Sequence, residues 1–163
     1  MLRAISAGIR DLIEHPQTDG AGPTVSVAFL RGAVGPGGRW DDQAKGGDRA
    51  QVPCKQLLGI AQPAIVRILP DGQMGRIAGQ ALVDLEVRTD AAFPRRGLYV
   101  LVRTGEVRLR YVRAGRDLVY FATSATLNRP CEWESAPRDA DLDGIVRARV
   151  CYLEETSAPA ASL

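Results

Sequence analysis

Apolar and polar residues alternate along this chain in short runs, and long helical stripes are rare. The clearest run is Glu106 to Val112. Val107, Leu109 and Tyr111 fall on one side of an extended chain, and Glu106, Arg108 and Arg110 on the other. That period of two predicts a half-buried strand. Leu98 to Arg103 and Leu118 to Ala122 are β-type runs on either side of it, with Thr104-Gly105 and Ala114-Gly115-Arg116-Asp117 as the intervening turns. Val25 to Leu30, Ala64 to Leu69 and Leu82 to Val87 also read as strands, and Ile145 to Leu153 as a last one after Asp143-Gly144. Between them, Gly32 to Gly38 reads as a Gly/Pro loop, and Trp40 to Ala50 as a polar, mobile connection. Cys54 to Ile60 reads as a helical turn or two, and Pro70-Asp71-Gly72 as a tight turn.

One segment has a different period. Leu2, Ile5, Ile9, Leu12 and Ile13 recur at spacings of three and four, which predicts a short amphipathic helix over residues 2–14, ended by Pro16. The stretch from Thr18 to Pro23 is a Gly-rich linker. One helix does not make a helix-turn-helix, which needs two in succession. The helix is expected to pack on its own domain or on a twin, and docking to a different protein is the alternative. The tail from Thr156 to Leu163 is small and polar and is expected to be disordered. The expected organisation is therefore a helix and linker (1–23), a β domain (24–155) and a tail (156–163). Many short strands with frequent turn signals predict a mainly β fold, a sandwich or a partly open barrel.

Length and composition fit this picture. A chain of 163 residues, 45% hydrophobic and 25% charged, suits one globular domain with a core of its own. The formal net charge of +2 excludes a polyelectrolyte ligand for DNA or acidic lipid. The only lysines are Lys45 and Lys55, and Arg supplies the other permanent cations, as a GC-rich genome would give. Cys54, Cys131 and Cys151 are odd in number, far apart and without C-x-x-C spacing. That argues against a disulfide framework or a zinc site and predicts buried thiols. The single His15 gives a Ser-His or Cys-His pair little to build on. No cofactor and no metal are expected. No run approaches a membrane span and no signal peptide is evident, so a cytoplasmic protein is expected.

Five segments, in order, carry a resemblance. They are Val27-Ala28-Phe29-Leu30-Arg31-Gly32-Ala33-Val34-Gly35-Pro36-Gly37-Gly38; Pro53 to Leu69; Asp71-Gly72-Gln73-Met74; Gly97-Leu98-Tyr99-Val100-Leu101 through Glu106 to Val112; and Gly144-Ile145-Val146-Arg147-Ala148-Arg149-Val150. Together they resemble the self-cleaving peptidase domain shared by LexA, the polymerase accessory UmuD and CI-type phage repressors. The resemblance covers roughly residues 24 to 155. It implies a partly open β fold. It also implies that Ala33, Val34 and Gly35 match the family's cleavage loop, that Gln73 stands at the nucleophilic Ser, and that Arg110 stands at the catalytic Lys.

Those two substitutions remove the family's chemistry. A carboxamide is no such nucleophile, and a guanidinium stays protonated at working pH and cannot be a general base. A shifted alignment does not restore the pair, because no Ser lies between Ser26 and Ser124 and no Lys follows Lys55. The bond matched to the cleavage site is Ala33-Val34, where the family usually has Ala-Gly. Gln73 and Arg110 are then either ordinary surface or cleft residues, or the polar contacts of a cleft that holds a peptide segment.

What remains implied is a non-catalytic regulatory domain. It would pair with itself as a homodimer and with a regulatory protein such as a phage-type repressor, in SOS-type or phage transcription control. A UmuD-like accessory subunit of a DNA polymerase is the alternative. A peptidase with unrecognised chemistry is a third reading. A fourth is a nucleic-acid-binding domain that uses Arg95, Arg96, Arg108 and Arg110, with Arg103, Arg113 and Arg116 nearby, although a solvated face explains such charge as well. The acidic stretch Glu132, Glu134, Asp139, Asp141 and Asp143 lacks calcium-loop spacing and reads as a solvated loop.

Overall fold

The computed structural model describes residues 22–42, 45–87, 96–138 and 142–155. The helix expected over 2–14, the linker up to residue 21 and the tail from 156 lie outside the described residues. So do His15 and Arg95.

The described chain is mainly β. Nine strands form one mixed sheet: β1 (Thr24–Val34), β2 (Lys45–Pro53), β3 (Pro63–Ile68), β4 (Ile77–Asp84), β5 (Gly97–Arg103), β6 (Glu106–Ala114), β7 (Leu118–Ala122), β8 (Glu134–Pro137) and β9 (Val146–Glu155). Their order across the sheet is β2-β1-β3-β4-β9-β5-β6-β7-β8. Only β1 and β3 pair in parallel; every other ladder is antiparallel. A single helical turn, α1 (Leu142–Ile145), precedes β9, and three 3₁₀ turns cover Cys54–Leu57, Gly72–Met74 and Pro130–Glu132.

The ladder does not close into a barrel, but the sheet curls. Gly35 at the end of β1 donates its N–H to the Val107 carbonyl of β6 at 3.0 Å, although four strands of the sheet lie between the two. The curl wraps a main core of Leu30, Val34, Val66, Ile68, Met74, Val83, Val100 and Leu109. Each large aliphatic side chain buried there stabilises the fold by about 1.5–3 kcal/mol. A second cluster lies on the other face of β5–β7 and is built from Tyr99, Leu101, Val112, Val119 and Phe121, with Ala136 and α1's Leu142. A third covers the outer face of β1–β4 with Val27, Val52, Ile65 and Leu82.

The β5–β6–β7 meander falls where the alternation places it. Elsewhere the chain departs from the sequence reading. Trp40 to Ala50 is not wholly a mobile connection, because residues from Lys45 onward form β2 against β1. Glu134 is not in a solvated loop; it opens β8, an edge strand on β7. The strand expected from Leu82 begins at Ile77 and ends at Asp84. Gly32 to Val34 belong to β1, so only Gly35 to Gly38 turn. None of the three thiols is fully buried: Cys131 is exposed, and Cys54 and Cys151 are half-buried. Burial pushes the Cys151 thiol up from its ordinary pKa, with nearby Arg149 opposing and Asp84 adding to the shift.

Candidate functional site

The cleft grows out of three local structures. The first is the 3₁₀ turn Gly72–Met74. Asp71 caps it by accepting the Gln73 N–H on Oδ1 at 2.9 Å, while its carbonyl accepts from the Met74 N–H at 2.9 Å. Met74 is thereby driven into the main core, where it is 1% exposed, and Gln73 is turned outward. The second is the Gly35–Gly38 turn. Ala33 N–H donates to Arg39 O, Gly38 N–H to Gly35 O and Leu69 N–H to Val34 O, so the turn is strapped to its own strand and to β3's end. The third is the start of β6, with Arg108 exposed and Arg110 buried.

These three converge on an open cleft of about 700 Å³. Gly35, Asp71, Gln73, Arg110, Thr123 and Glu134 lie on its wall. Gln73 and Arg110, named from the sequence, thus share one cavity, and Gly35 of the loop-like trio joins them. Ala33 and Val34 do not: both are buried strand residues, and Val34 is fully covered. The Ala33-Val34 peptide therefore lies in hydrogen-bonded β structure, not in an exposed loop.

Arg110 is the chemically decisive side chain. Alternation groups it with Arg108 on a solvated face, yet it is one of two buried polar residues among the described ones. Its cross-strand neighbour is Tyr99, a member of the second cluster, so the polar face of β6 runs into core at this position. Burying a guanidinium requires partners. Arg110 Nη1 donates to the Leu109 carbonyl at 2.7 Å and lies 3.5 Å from Asp71 Oδ2. Asp71 was legible only as a turn residue; it both caps the turn that presents Gln73 and neutralises Arg110.

Thr123 and Thr126 supply the aliphatic hydroxyls of the cleft lining, and Ser124 lies between them in the chain. Thr123 and Thr126 close a turn on one another, each accepting the other's backbone N–H on its Oγ1. Ser124 donates to the Met74 carbonyl at 3.2 Å. Among the described residues no lysine lines the cleft. Among the described residues no three His, Cys, Asp or Glu side chains group to hold a metal, and no helix is long and apolar enough to cross a membrane.

Three arginines of the basic face proposed from the sequence have carboxylate partners. Arg103 meets Glu134 at 3.6 Å, Arg108 meets Glu106, and Arg110 meets Asp71. Each of these carboxylates offsets one guanidinium locally, and Arg96 and Arg113 have no such partner among the described residues. Arg96 is exposed but lies at a different cavity.

The Gly35–Gly38 turn gives a direct test of the cleft's construction. A Cβ on Gly38 would collide with the Ala33 carbonyl oxygen, whereas a Cβ on Gly47 of β2 meets nothing. Gly38→Ala should therefore cost about 1–3 kcal/mol, read by chemical denaturation. Gly47→Ala should stay within about 0.5 kcal/mol of the parent. Equal stabilities for the two variants would mean that the turn is not held as described.

Comparison with known proteins found no matching family model, no matching curated protein and no matching solved structure.

Proposed function

We propose that this chain is a non-catalytic relative of the LexA and phage-repressor peptidase domain, and that it acts as a regulatory interaction module. It associates with itself and holds a peptide segment of a partner regulator in the cleft between the 3₁₀ turn and β6. The partner class is a phage-type repressor or another protein of SOS-type control, met in the cytoplasm.

The observation that carries this reading is the convergence of Gln73 and Arg110 on one cleft beside the Gly35–Gly38 turn, with Arg110 3.5 Å from Asp71. A protonated guanidinium cannot take a proton, but it binds carbonyl and carboxylate oxygens well. Gln73 is exposed and offers both a donor and an acceptor. The cleft volume falls in the usual range for ligand sites, and an open groove suits an extended segment. The internal pairing of Arg103, Arg108 and Arg110 disfavours the nucleic-acid alternative.

The test is co-purification of the tagged chain from its native host, with and without DNA damage, and identification of the bound proteins by mass spectrometry. Recovery of a DNA-binding repressor or its antagonist, lost in a Gln73→Trp variant that fills the mouth of the cleft, supports the proposal. Recovery of a DNA polymerase replaces it with the UmuD-like reading. A chain that returns alone and sediments as a monomer overturns it.

A further inference from the structure

A second cavity lies on the β6–β7 side of the sheet and shares no lining residue with the cleft. Its floor follows from the register. Tyr111 and Arg113 stand two residues apart on β6, so they face the same way. Ala122 and Tyr120 lie directly opposite them on β7. Trp133, just before β8, closes one side. Its ring meets Tyr120 edge-on, with centroids 6.3 Å apart and planes at 61°. Its Nε1–H donates to the Thr126 carbonyl at 2.7 Å, which fixes the indole and leaves its apolar body to the cavity. Leu127, one of the few exposed large hydrophobics among the described residues, stands at the rim.

The cavity measures about 220 Å³, below the range of drug-sized ligand sites and suited to one large side chain. Rigid aromatic walls around such a space are the usual setting of an interface anchor. The charge at the rim sets the anchor's surroundings. Arg96 and Arg113 both line the cavity and are exposed, and neither has a carboxylate partner among the described residues. Arg103, Arg108 and Arg129 each have one. Unpaired guanidiniums beside an apolar hole complement a carboxylate next to an apolar residue.

We propose that this cavity is a docking site for a peptide segment of a protein partner in which a large apolar or aromatic side chain stands beside an acidic one. The apolar side chain fills the space between Tyr111, Tyr120 and Trp133, and the carboxylate bridges Arg96 and Arg113. The site stands on its own geometry and does not depend on the reading of the cleft. Single-stranded nucleic acid also stacks on aromatics, but it needs a cationic groove that tracks about four or more nucleotides. Two guanidiniums with internally paired neighbours do not supply one.

The test pans a phage-displayed library of random dodecapeptides on the intact chain, then measures binding of the enriched peptides by fluorescence anisotropy. Enriched sequences should share Trp, Phe or Leu within two residues of Asp or Glu. Loss of one charge-assisted contact should weaken them about tenfold in Arg113→Ala and again in Arg96→Ala. Both positions are exposed, so these variants should fold as the parent does, and Leu127→Ser offers a third substitution at the rim. No enrichment, or peptides that bind the Arg variants unchanged, overturns the proposal. Tight binding of single-stranded oligothymidylate that falls steeply with salt overturns it in favour of nucleic acid.

Discussion

Replacing Asp84 with Ala is expected to destabilise the fold by about 3 kcal/mol, although Asp84 lines neither cavity. Asp84 closes β4 and is only 5% exposed. Its Oδ1 accepts the N–H groups of Gln62 and Glu86, and its Oδ2 accepts the N–H of Ala61, all at 3.0 Å. One carboxylate thus ties the connection before β3 to the end of β4. Alanine would leave three backbone donors without their acceptor. Ala61 and Gln62 are themselves exposed, so water would replace part of the loss, and the full sum of three penalties is not expected. For a domain of this size the melting temperature should fall by roughly 6–12 °C. Asp84→Asn keeps one oxygen and should lose about half as much. Arg149 lies 3.9 Å from Oδ2 and its side chain is a third exposed, so Arg149→Ala should cost less than about 1 kcal/mol. A melting temperature for Asp84→Ala within two degrees of the parent, or an Arg149→Ala variant that matches it, would show that the hydrogen bonds are not what holds this corner.

Asp84 also marks where sequence reasoning stops. Nothing in Leu82-Val83-Asp84-Leu85 separates a carboxylate that gathers three N–H groups from one that ends a strand in solvent. Two of the three donors, Ala61 and Gln62, come from a segment 23 and 22 residues earlier. The β5–β7 meander was legible because its strands are neighbours in sequence joined by short turns, so β-type runs and turn signals carry the information. β2 was not, because its only buried apolar residues are Ala50 and Val52 and its start is Gly-rich. Its pairing with β1, not its own pattern, makes it a strand. β8 is shorter still and buries only Ala136.

The cleft shows the same division. Gln73 and Arg110 were named by position along the chain, and their meeting in one cavity is a tertiary fact. The burial of Arg110 was hidden for a specific reason. Alternation assigns a face, and it assumes that one face stays wet along the whole strand. On β6 the face that is solvated at Glu106 and Arg108 becomes a second core at Arg110 and Val112, where Phe121 and α1 cover it. A sheet with apolar layers on both sides gives a mixed signal at the crossing point. A charged residue there then reads as surface, although it needs a buried partner.

That partner sets the second large effect. Arg110 and Asp71 have side chains 8% and 12% exposed, and their nitrogen and oxygen lie 3.5 Å apart. Removing one of them leaves the other charged and desolvated. Arg110→Met preserves most of the stem's volume and should cost about 3 kcal/mol, at the lower end for breaking a buried pair because water in the open cleft screens it. Asp71→Asn keeps Oδ1 for the Gln73 N–H and should cost slightly less. In the double variant neither charge remains, and the molecule should recover much of the loss, with a coupling energy of about 2 kcal/mol in urea unfolding. Additive losses would mean that the two groups are separately solvated and that Asp71 acts only as the turn's cap. The same four proteins separate structure from recognition. If Arg110 only braces the 3₁₀ turn, the double variant, refolded and stable, should still retain the partner recovered by the parent chain. If the guanidinium contacts the bound segment, stability returns in the double variant and the partner does not.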